Sequence, residues 1–340
     1  MRFLTLALTI GLGLSLPCVG ASAQDPGAAS PKPARKQAGA RANYPPRIDG
    51  AKVEHYQSGG KERMSLYVFQ PADRKPGEAR PAAVFFFGGG WTNGSPAQFE
   101  PHCRYLASRG MVAVAVDYRV ASRHQTKVAD AIIDAKSAMR WVRAHTAELG
   151  VDPQRIAAGG GSAGGHLAAS CALLPGFDES GEPKTADSTP NALLLFNPAL
   201  ALAPLDDDDV KAESPALERL VERFGAKPKD VSPAHHVRSG APPTIIFHGR
   251  DDQTVPFASI EAFAKRMKAS GARCDVAAYA GKGHGFFNVG RGDAETVRET
   301  FRRMDAFLVS LGWIRGEATS DAFLSQRGGA PQAQAKPESR

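Results

Sequence analysis

The sequence predicts an α/β fold with a doubly wound, mostly parallel sheet. Apolar, β-branched runs alternate with helical patterns through the central part of the 340-residue chain. Strands separated by helices require crossover connections, which place helices on both faces of a parallel sheet. Ligands of such sheets bind beyond the carboxyl ends of the strands, and glycine-rich or polar segments follow several of the predicted strands here. We therefore expect one large domain with its site at that edge.

The predicted strands are short apolar runs rich in β-branched and aromatic residues. They are expected at residues 65–69, 82–87, 112–117, 155–158, 192–196, 244–248 and 274–279. Helices are expected where apolar residues recur every three or four positions, at 96–108, 128–145, 163–173, 259–270 and 294–311. Residues 197–242 interrupt the alternation. We interpret them as an insertion that either covers the site as a partial lid or extends into solvent.

The two ends of the chain differ in composition from its centre. Arg2, an apolar stretch at 3–16 and the small residues Ala21-Ser22-Ala23 predict a signal peptide at residues 1–23. We therefore expect cleavage near Ala23 and a secreted or periplasmic protein. Residues 24–47 are expected to be a disordered basic linker and residues 315–340 a disordered tail, with the α/β domain between them at 48–314.

The net charge of +7 does not indicate a nucleic-acid partner. Five basic residues lie in the linker against a single aspartate, and the domain at 48–314 is close to neutral. The apolar stretch at 3–16 is shorter than the roughly 20 residues that span a bilayer, so stable membrane insertion is not expected. Cys18 follows Pro17 rather than a small residue, which disfavours a lipoprotein anchor.

Cysteine usage leaves one structural question open. The cysteines beyond the predicted signal peptide are Cys103, Cys171 and Cys274, and their spacing is not that of metal ligands. One disulfide with a free thiol and three free thiols fit the sequence equally well. No metal or organic cofactor is predicted.

Ser162 is the candidate nucleophile. It lies in Gly160-Gly161-Ser162-Ala163-Gly164, a Gly-x-Ser-x-Gly pattern directly after a predicted strand. A nucleophilic serine sits on a strained strand-to-helix turn, where glycines two residues before and after it let the backbone approach closely. Because this pattern occurs by chance in a glycine-rich chain, the assignment depends on finding a base, an orienting acid and donors for an oxyanion.

His284 is the candidate base, because it lies between two glycines after the last predicted strand, where an imidazole has room to reach a serine. His166 would lie one helical turn after Ser162, and His235 and His236 lie in the insertion, so these are weaker candidates.

The orienting acid is expected in the loop after the strand at 244–248. Asp251 and Asp252 compete for this role in Gly-Arg-Asp-Asp-Gln-Thr-Val-Pro. A buried carboxylate there would hold the tautomer of His284 and stabilise the imidazolium formed when the serine loses its proton. The aspartate that is not chosen would cap a turn or face solvent.

The oxyanion donors are expected in residues 85–91, Phe-Phe-Phe-Gly-Gly-Gly-Trp, at the end of the second predicted strand. Glycines after a strand leave backbone N–H groups free to point into a cleft. We expect the N–H groups of Gly89, Gly90 and Ala163 to form the oxyanion hole, where losing one donor costs about 100- to 1000-fold in rate. An ordinary flexible turn is the alternative, and the aromatic run disfavours it.

These motifs together resemble the α/β-hydrolase fold, and more narrowly the bacterial secreted esterases that include carbohydrate acetyl esterases and feruloyl-esterase-like enzymes of the BD-FAE type. The resemblance covers residues 50–312, and the order Ser, Asp, His along the chain matches it. The spacing His-Gly-x-x-Asp-x-x-Val-Pro resembles the acid loop of these enzymes and selects Asp252. One departure is visible, since Phe87 stands where lipases and esterases usually carry the histidine of His-Gly-Gly-Gly.

The resemblance implies a serine carboxylic-ester hydrolase that works through an acyl-enzyme without a cofactor. Its substrate would be a small-molecule or polysaccharide ester, with small acyl groups such as acetyl removed from carbohydrate. A serine peptidase similar to prolyl oligopeptidase is the alternative within enzymes, although such peptidases usually carry a large domain before the catalytic one. A binding module on a hydrolase scaffold is the alternative of another class, and such modules commonly lack a member of the triad.

Overall fold

The computed structural model describes residues 44–58, 62–180, 186–205 and 220–328, all of which lie in one compact unit. The predicted signal peptide at 1–23, the linker up to residue 43 and the acidic run at 206–209 lie outside the described residues. Cleavage near Ala23 and export therefore stay predictions.

The described residues contain a sheet of eight strands. The strands are β1 (Lys52–Ser58), β2 (Glu62–Phe69), β3 (Arg80–Phe86), β4 (Val112–Val116), β5 (Val151–Gly161), β6 (Ala192–Phe196), β7 (Thr244–Gly249) and β8 (Cys274–Tyr279). Their order is β1-β2-β4-β3-β5-β6-β7-β8. The pairs β1/β2 and β2/β4 are antiparallel, and all later pairs are parallel. The mostly parallel sheet predicted from the sequence is confirmed.

Helices cover both faces of this sheet. They are α1 (Glu100–Ser108), α2 (Ala121–His124), α3 (Val128–Ala144), α4 (Thr146–Leu149), α5 (Ala163–Leu173), α6 (Phe257–Ala269), α7 (Ala294–Ser310) and α8 (Ser320–Gly328), with 3-10 turns at Pro96–Phe99, Val221–Arg223 and Pro233–His236. Within the described ranges, no helix has the length and apolar character needed to cross a membrane.

Alternation along the strands divides the core between the two faces of the sheet. Val84 packs in a cluster with Ile132 of α3 and Leu167 of α5. Its neighbour Phe85 belongs to a second cluster, on the other face, with Phe301 of α7. Because both faces are buried, the central strands are continuous apolar runs rather than alternating ones, which is why the sequence identified them.

The antiparallel edge was not predicted. β1 reads Lys-Val-Glu-His-Tyr-Gln-Ser, and among the side chains described at 52–57 only that of Tyr56 is buried. An edge strand with charged residues on its open side carries little apolar signal, although those charges protect it from pairing with other chains. β5 is also longer than predicted, because the prediction omitted most of its polar first half. That half pairs with β3 only at its start.

The prediction of a disordered tail at 315–340 is wrong for its first half, because Ser320–Gly328 forms α8. The Phe323 ring of α8 lies 5.4 Å from that of Tyr105 and 6.5 Å from that of Phe301. Phe323 and the adjacent Leu324 both pack against the core, but one apolar pair in a polar segment gives no periodic signal. The linker is likewise ordered from Tyr44 onward, where the phenol donates a hydrogen bond to Asp117.

The cysteine question has a clear answer in the structure. Cys103, Cys171 and Cys274 are all buried free thiols. Burial raises the pKa of each thiol, to about 12 for Cys171 and Cys274, so these side chains behave as small apolar groups in the core.

Candidate active site

Ser162 lies on a sharp turn between β5 and α5. Its backbone has φ 55° and ψ −119°, a strained conformation for a residue with a side chain. The flanking glycines are sterically required, because a Cβ on Gly164 would lie 2.0 Å from the Phe86 carbonyl oxygen and one on Gly160 would lie 2.5 Å from the carbonyl carbon of Gly164. The turn is fixed from the neighbouring strand, since the Ser162 N–H donates to the carbonyl of Phe196 over 2.8 Å.

The structure brings the three predicted side chains together. His284 Nε2 lies 2.9 Å from Ser162 Oγ, and His284 Nδ1 lies 2.7 Å from Asp252 Oδ2. The Asp252 side chain is fully buried, whereas that of His284 is 25% exposed. A buried carboxylate on Nδ1 leaves Nε2 unprotonated toward the serine, which is the tautomer that a general base requires.

Asp252 is the more completely bonded of the two candidate acids. Besides His284, its carboxylate accepts hydrogen bonds from the side-chain amide of Asn197 at 3.2 Å and from the backbone N–H groups of Thr254 and Val255 at 2.8 and 2.9 Å. Burial raises the pKa of Asp252, but the hydrogen bond and charge of His284 together with the Val255 N–H outweigh it and hold the pKa below its usual value. Asp252 is therefore the ionised partner of His284.

The adjacent Asp251 faces solvent, as expected for the aspartate that does not orient the histidine. Its side chain is exposed, and its backbone N–H donates to the carbonyl of Lys282 at 3.1 Å. The loop that carries the imidazole is thereby attached to the loop that carries the acid.

The other candidate histidines have structural partners. His166 is fully buried and its Nε2 lies 2.7 Å from the carbonyl oxygen of Val231, with a pKa lowered by burial to about 4. His235 contacts the Ser232 hydroxyl at 2.8 Å, and His236 contacts the Lys229 carbonyl at 2.9 Å. The His166 contact holds the second described part of the insertion against the domain, whereas these contacts of His235 and His236 lie within that part.

The glycine loop after β3 lies beside the nucleophile. A Cβ on Gly88 would lie 3.3 Å from the Cβ of Ser162. Among the described residues, none accepts a hydrogen bond from the N–H groups of Gly89, Gly90 or Ala163. Ala163 is the first residue of α5, where an unpaired N–H and the helix dipole favour negative charge. These three N–H groups are available as oxyanion donors.

The described part of the insertion packs on this glycine loop. The Arg223 guanidinium donates to Thr92 Oγ1 at 2.7 Å, and the ring of Phe224 lies edge-on to that of Trp91 at 6.5 Å. The partial lid is predicted for residues 197–242, of which 206–219 lie outside the described residues.

Asn197 is a functional residue that sequence reasoning missed. It directly follows β6, is fully buried and has φ 43°. Its amide donates to Asp252, and its carbonyl oxygen accepts the N–H of Gly285, next to His284, at 3.1 Å. The only local signal was an asparagine at a strand end, since asparagine tolerates left-handed backbone. In the sequence it is the first residue of the predicted insertion.

The described residues contain no group of three or more His, Cys, Asp and Glu side chains arranged to hold a metal ion. The side chains of Ser162, His284 and Asp252 instead form hydrogen bonds with each other, and Asp252 also accepts hydrogen bonds from backbone N–H groups. Glycine-rich loops carry or adjoin these residues. Such an arrangement is suited to nucleophilic attack by a serine on a carbonyl carbon.

Comparison with known sequences adds a family and several relatives. A family model described as BD-FAE matches residues 66–267. The chain is 36% identical over 194 residues to the probable carboxylic ester hydrolase LipM of Mycobacterium tuberculosis, covering 53% of this chain and 43% of LipM. It is 33% identical over 276 residues to esterase LipQ of the same organism, covering 77% of this chain and 62% of LipQ. The chain thus spans less than two thirds of the length of either relative.

Solved structures of one esterase match nearly over their whole length. Thermogutta terrifontis esterase 2 phosphonylated by sarin has a TM-score of 0.78 and 52% identity, covering 81% of this chain and 99% of that one. The same esterase with propionate bound has a TM-score of 0.74 and 52% identity, covering 81% and 99%. With butyrate bound the values are 0.74 and 51%, covering 82% and 100%. These neighbours have the α/β-hydrolase fold that the motifs predicted.

Proposed function

The chain belongs to the BD-FAE family, and from that premise we propose that it is a serine carboxylic-ester hydrolase that removes short acyl groups, acetyl above all, from carbohydrate or related esters. The observation that carries the proposal is the unbroken chain of hydrogen bonds from Ser162 Oγ through His284 to Asp252, with distances of 2.9 and 2.7 Å. Each distance is within the range for proton transfer or for holding a tautomer.

Acylation follows from this geometry. Ser162 Oγ attacks the ester carbonyl carbon while its proton moves to His284 Nε2, and Asp252 stabilises the imidazolium that forms. The carbonyl oxygen becomes an oxyanion, which accepts hydrogen bonds from the N–H groups of Gly89, Gly90 and Ala163. When the tetrahedral intermediate collapses, the bond to the alcohol breaks and His284 gives the proton to the leaving oxygen.

Deacylation repeats these steps with water as the nucleophile. His284 Nε2 takes a proton from the water that attacks the acyl carbon, the same N–H groups hold the second oxyanion, and the proton returns to Ser162 Oγ as the acid leaves. The exposed quarter of the His284 side chain gives water and an alcohol access to the imidazole.

The acyl preference is supported by what is bound to the structural relative. Thermogutta terrifontis esterase 2 has been solved with propionate and with butyrate, which are products that a short-chain esterase releases. The carbohydrate part of the proposal is supported by the predicted signal peptide at 1–23, which would deliver the enzyme to the compartment where acylated polysaccharides occur.

The test is a substrate panel measured as kcat/KM at fixed pH, with acetyl, butyryl and octanoyl aryl esters, a feruloyl ester, acetylated xylan and an aminoacyl-proline amide. We expect acetyl and butyryl esters to be preferred over octanoyl esters, with acetate released from xylan. The Ser162→Ala variant is the control for background hydrolysis, and its thermal unfolding midpoint verifies that it folds.

The panel separates the parts of the proposal. A preference for octanoyl esters contradicts the short acyl specificity, and absence of acetate release from xylan contradicts the carbohydrate substrate. A preference for the proline amide favours a peptidase. If folded wild-type protein hydrolyses none of the esters and a fluorophosphonate probe leaves Ser162 unlabelled, the protein is a binding module instead.

A further inference from the structure

The oxyanion loop, defined as residues 88–94, begins directly after Phe87. The Phe87 ring is buried and stacks on Tyr118, with centroids 4.1 Å apart, and the Tyr118 hydroxyl donates to the Phe87 carbonyl at 2.7 Å. These contacts fix the start of the loop at the end of β3. They supply no link to the opposite wall of the site, where the imidazole lies.

Gln98 supplies that link. It lies in the 3-10 turn Pro96–Phe99, and its side chain is half-buried. Its Oε1 accepts the N–H of Gly88 at 2.6 Å, and its Nε2 donates to Asn288 Oδ1 at 2.8 Å. One side chain therefore joins the oxyanion loop to a segment 190 residues later in the chain.

Asn288 continues the connection to the base. Its Nδ2 donates to the Gly285 carbonyl at 2.7 Å, and its backbone N–H donates to the same oxygen at 3.2 Å. Gly285 is bonded directly to His284 in the chain. The connection thus runs without a gap from the loop that carries the oxyanion donors to the residue that carries the base.

The direction of every hydrogen bond in this connection is fixed at its two ends. The Gly88 N–H only donates, so the Gln98 atom that faces it is the oxygen, and its nitrogen faces Asn288. The Asn288 oxygen accepts from that nitrogen, which leaves the Asn288 nitrogen to donate to a carbonyl that only accepts. Neither amide can flip without placing two donors or two acceptors against each other.

We infer that Gln98 and Asn288 are positioning residues, which set the distance between the oxyanion donors and His284. This inference rests on the proposed esterase function. The reacting carbonyl lies between the donors and the base, and a misplacement of about 1 Å in such a site can cost about 100-fold in rate. The pair holds the loop that follows Phe87 by two side-chain amides.

The experiment compares Gln98→Met, Asn288→Ala and their double variant on an aryl acetate. Each single variant is expected to lower kcat by about 10- to 100-fold with KM changed less than about threefold, since the contact acts on the transition state rather than on ground-state binding. Because both residues act in one connection, the double variant should be no slower than the slower single variant within about threefold. Gln98→Glu should fall between wild type and Gln98→Met, because a carboxylate still accepts the Gly88 N–H.

Gln70→Met is the matched control, because the Gln70 side chain is half-buried and donates to the Leu149 carbonyl at 3.0 Å, outside the connection. It should leave kcat unchanged. Thermal unfolding midpoints are measured for all variants, and Gln98→Glu keeps the test valid if Gln98→Met does not fold.

Labelling of Ser162 by a fluorophosphonate probe gives a second readout, since its phosphonyl oxygen needs the same donors. Slower labelling of Gln98→Met than of Gln70→Met supports the inference even if wild type hydrolyses no ester, in which case only the proposed function fails. The inference is overturned if folded Gln98→Met keeps both kcat and the labelling rate within threefold of wild type. It is also overturned if the losses of the two single variants multiply in the double variant.

Discussion

Two aspartates follow strands of this sheet at its carboxyl edge, and both are buried, yet their pKa values shift in opposite directions. Asp117 follows β4 and is 3% exposed, and Asp252 follows β7 and is 4% exposed. Burial raises the pKa of Asp117 to about 6, whereas the pKa of Asp252 lies below its usual value. Removal from water therefore does not by itself decide the charge of a carboxylate.

The partners of the two carboxylates explain the difference. Asp252 accepts hydrogen bonds from two backbone N–H groups and lies 2.7 Å from an imidazole that becomes positive in the proposed reaction. Asp117 accepts hydrogen bonds from the Tyr44 hydroxyl and one backbone N–H, and the Arg123 guanidinium is 3.5 Å away. Those contacts lower the pKa of Asp117 less than burial raises it.

In the proposed function, the same edge of the sheet holds one carboxylate that belongs to the triad and one that is structural. Asp117 lies behind the oxyanion loop, because Arg123 donates to the Gly94 carbonyl at 2.9 Å and to the Tyr44 hydroxyl at 2.8 Å. A carboxyl with a raised pKa suffices to hold these contacts together. The acid of the triad must instead stay ionised whenever His284 becomes protonated.

The largest expected effect comes from neutralising Asp252. Asp252→Asn should lower kcat about 10,000-fold, because an amide facing Nδ1 favours the wrong imidazole tautomer and removes the charge that stabilises the imidazolium. The measurement is kcat on an aryl acetate, with the exposed Asp251→Asn as the matched control. Loss of activity in Asp251→Asn together with retention in Asp252→Asn would reverse the assignment of the acid.

The same substitution at Asp117 should leave chemistry nearly unchanged and alter the pH dependence of stability. The folded-state pKa of Asp117 is about 6, against 3.8 when exposed, so the folded protein binds the extra proton between these pH values. Its free energy of unfolding then falls as pH rises through that window, by about 3 kcal/mol from this group. Asp117→Asn lacks this loss and should gain stability relative to wild type between pH 4 and pH 7.

Urea unfolding of wild type and Asp117→Asn at several pH values measures this change. The exposed Asp251→Asn is again the control for replacing an aspartate by an asparagine. A constant difference between Asp117→Asn and wild type from pH 4 to pH 7 would show that Asp117 is ionised in the folded protein at every pH in that range.

These contrasts mark the limit of what the sequence could predict. Ser162, His284 and Asp252 are placed by motifs whose spacing reports local backbone geometry, and β6 and β8 have the predicted ends because apolar runs report burial on both faces. The different pKa values of Asp117 and Asp252 depend on partners distant in the chain, such as Tyr44 and His284. A local pattern contains no information about such partners.

The same reason explains why Asn197, Gln98 and Asn288 were missed. Each is a polar residue in a loop, where polar residues are ordinary, and each acquires its role from hydrogen bonds that span 55 to 190 residues of sequence. Only the absence of a histidine at position 87 indicated that another group holds the oxyanion loop.

A substitution at Asn197 should raise the pKa of Asp252, so that it shifts in the same direction as that of Asp117. Asn197→Asp keeps the left-handed backbone preference and the acceptor for Gly285, but it places a second carboxylate at the 3.2 Å contact with Asp252. Like charges at this distance raise the pKa of the pair. The acidic limb of the pH profile of kcat/KM should move to higher pH, with kcat about 10- to 100-fold lower at its optimum, as expected for a misplaced base.

Asn197→Ala separates the two effects, because it removes the donor without adding charge. It should lower kcat similarly while leaving the acidic limb in place. If the pH profiles of kcat/KM for Asn197→Asp and wild type superimpose, the added carboxylate does not change the pKa of Asp252.

The smallest expected effect extends the comparison to His102, a buried titratable side chain without any partner. Neither of its ring nitrogens has a hydrogen-bond partner among the described residues, and burial lowers its pKa to about 3. Its ring stacks on Phe301 at 4.5 Å and meets Phe196 edge-on at 5.1 Å. A buried polar group without a hydrogen bond costs about 1 to 3 kcal/mol, so this histidine lowers stability where Asp252, with its full set of donors, does not.

His102→Leu should therefore keep or raise the free energy of unfolding, by about 1 kcal/mol after the loss of ring packing is subtracted. Phe301→Leu removes a ring from the same cluster without removing a polar group, so it should lower the free energy of unfolding and serves as the control for packing. Urea unfolding at pH 7 measures both variants. If His102→Leu loses as much stability as Phe301→Leu, the imidazole contributes by its aromatic contacts alone, and the unpaired nitrogens cost nothing measurable.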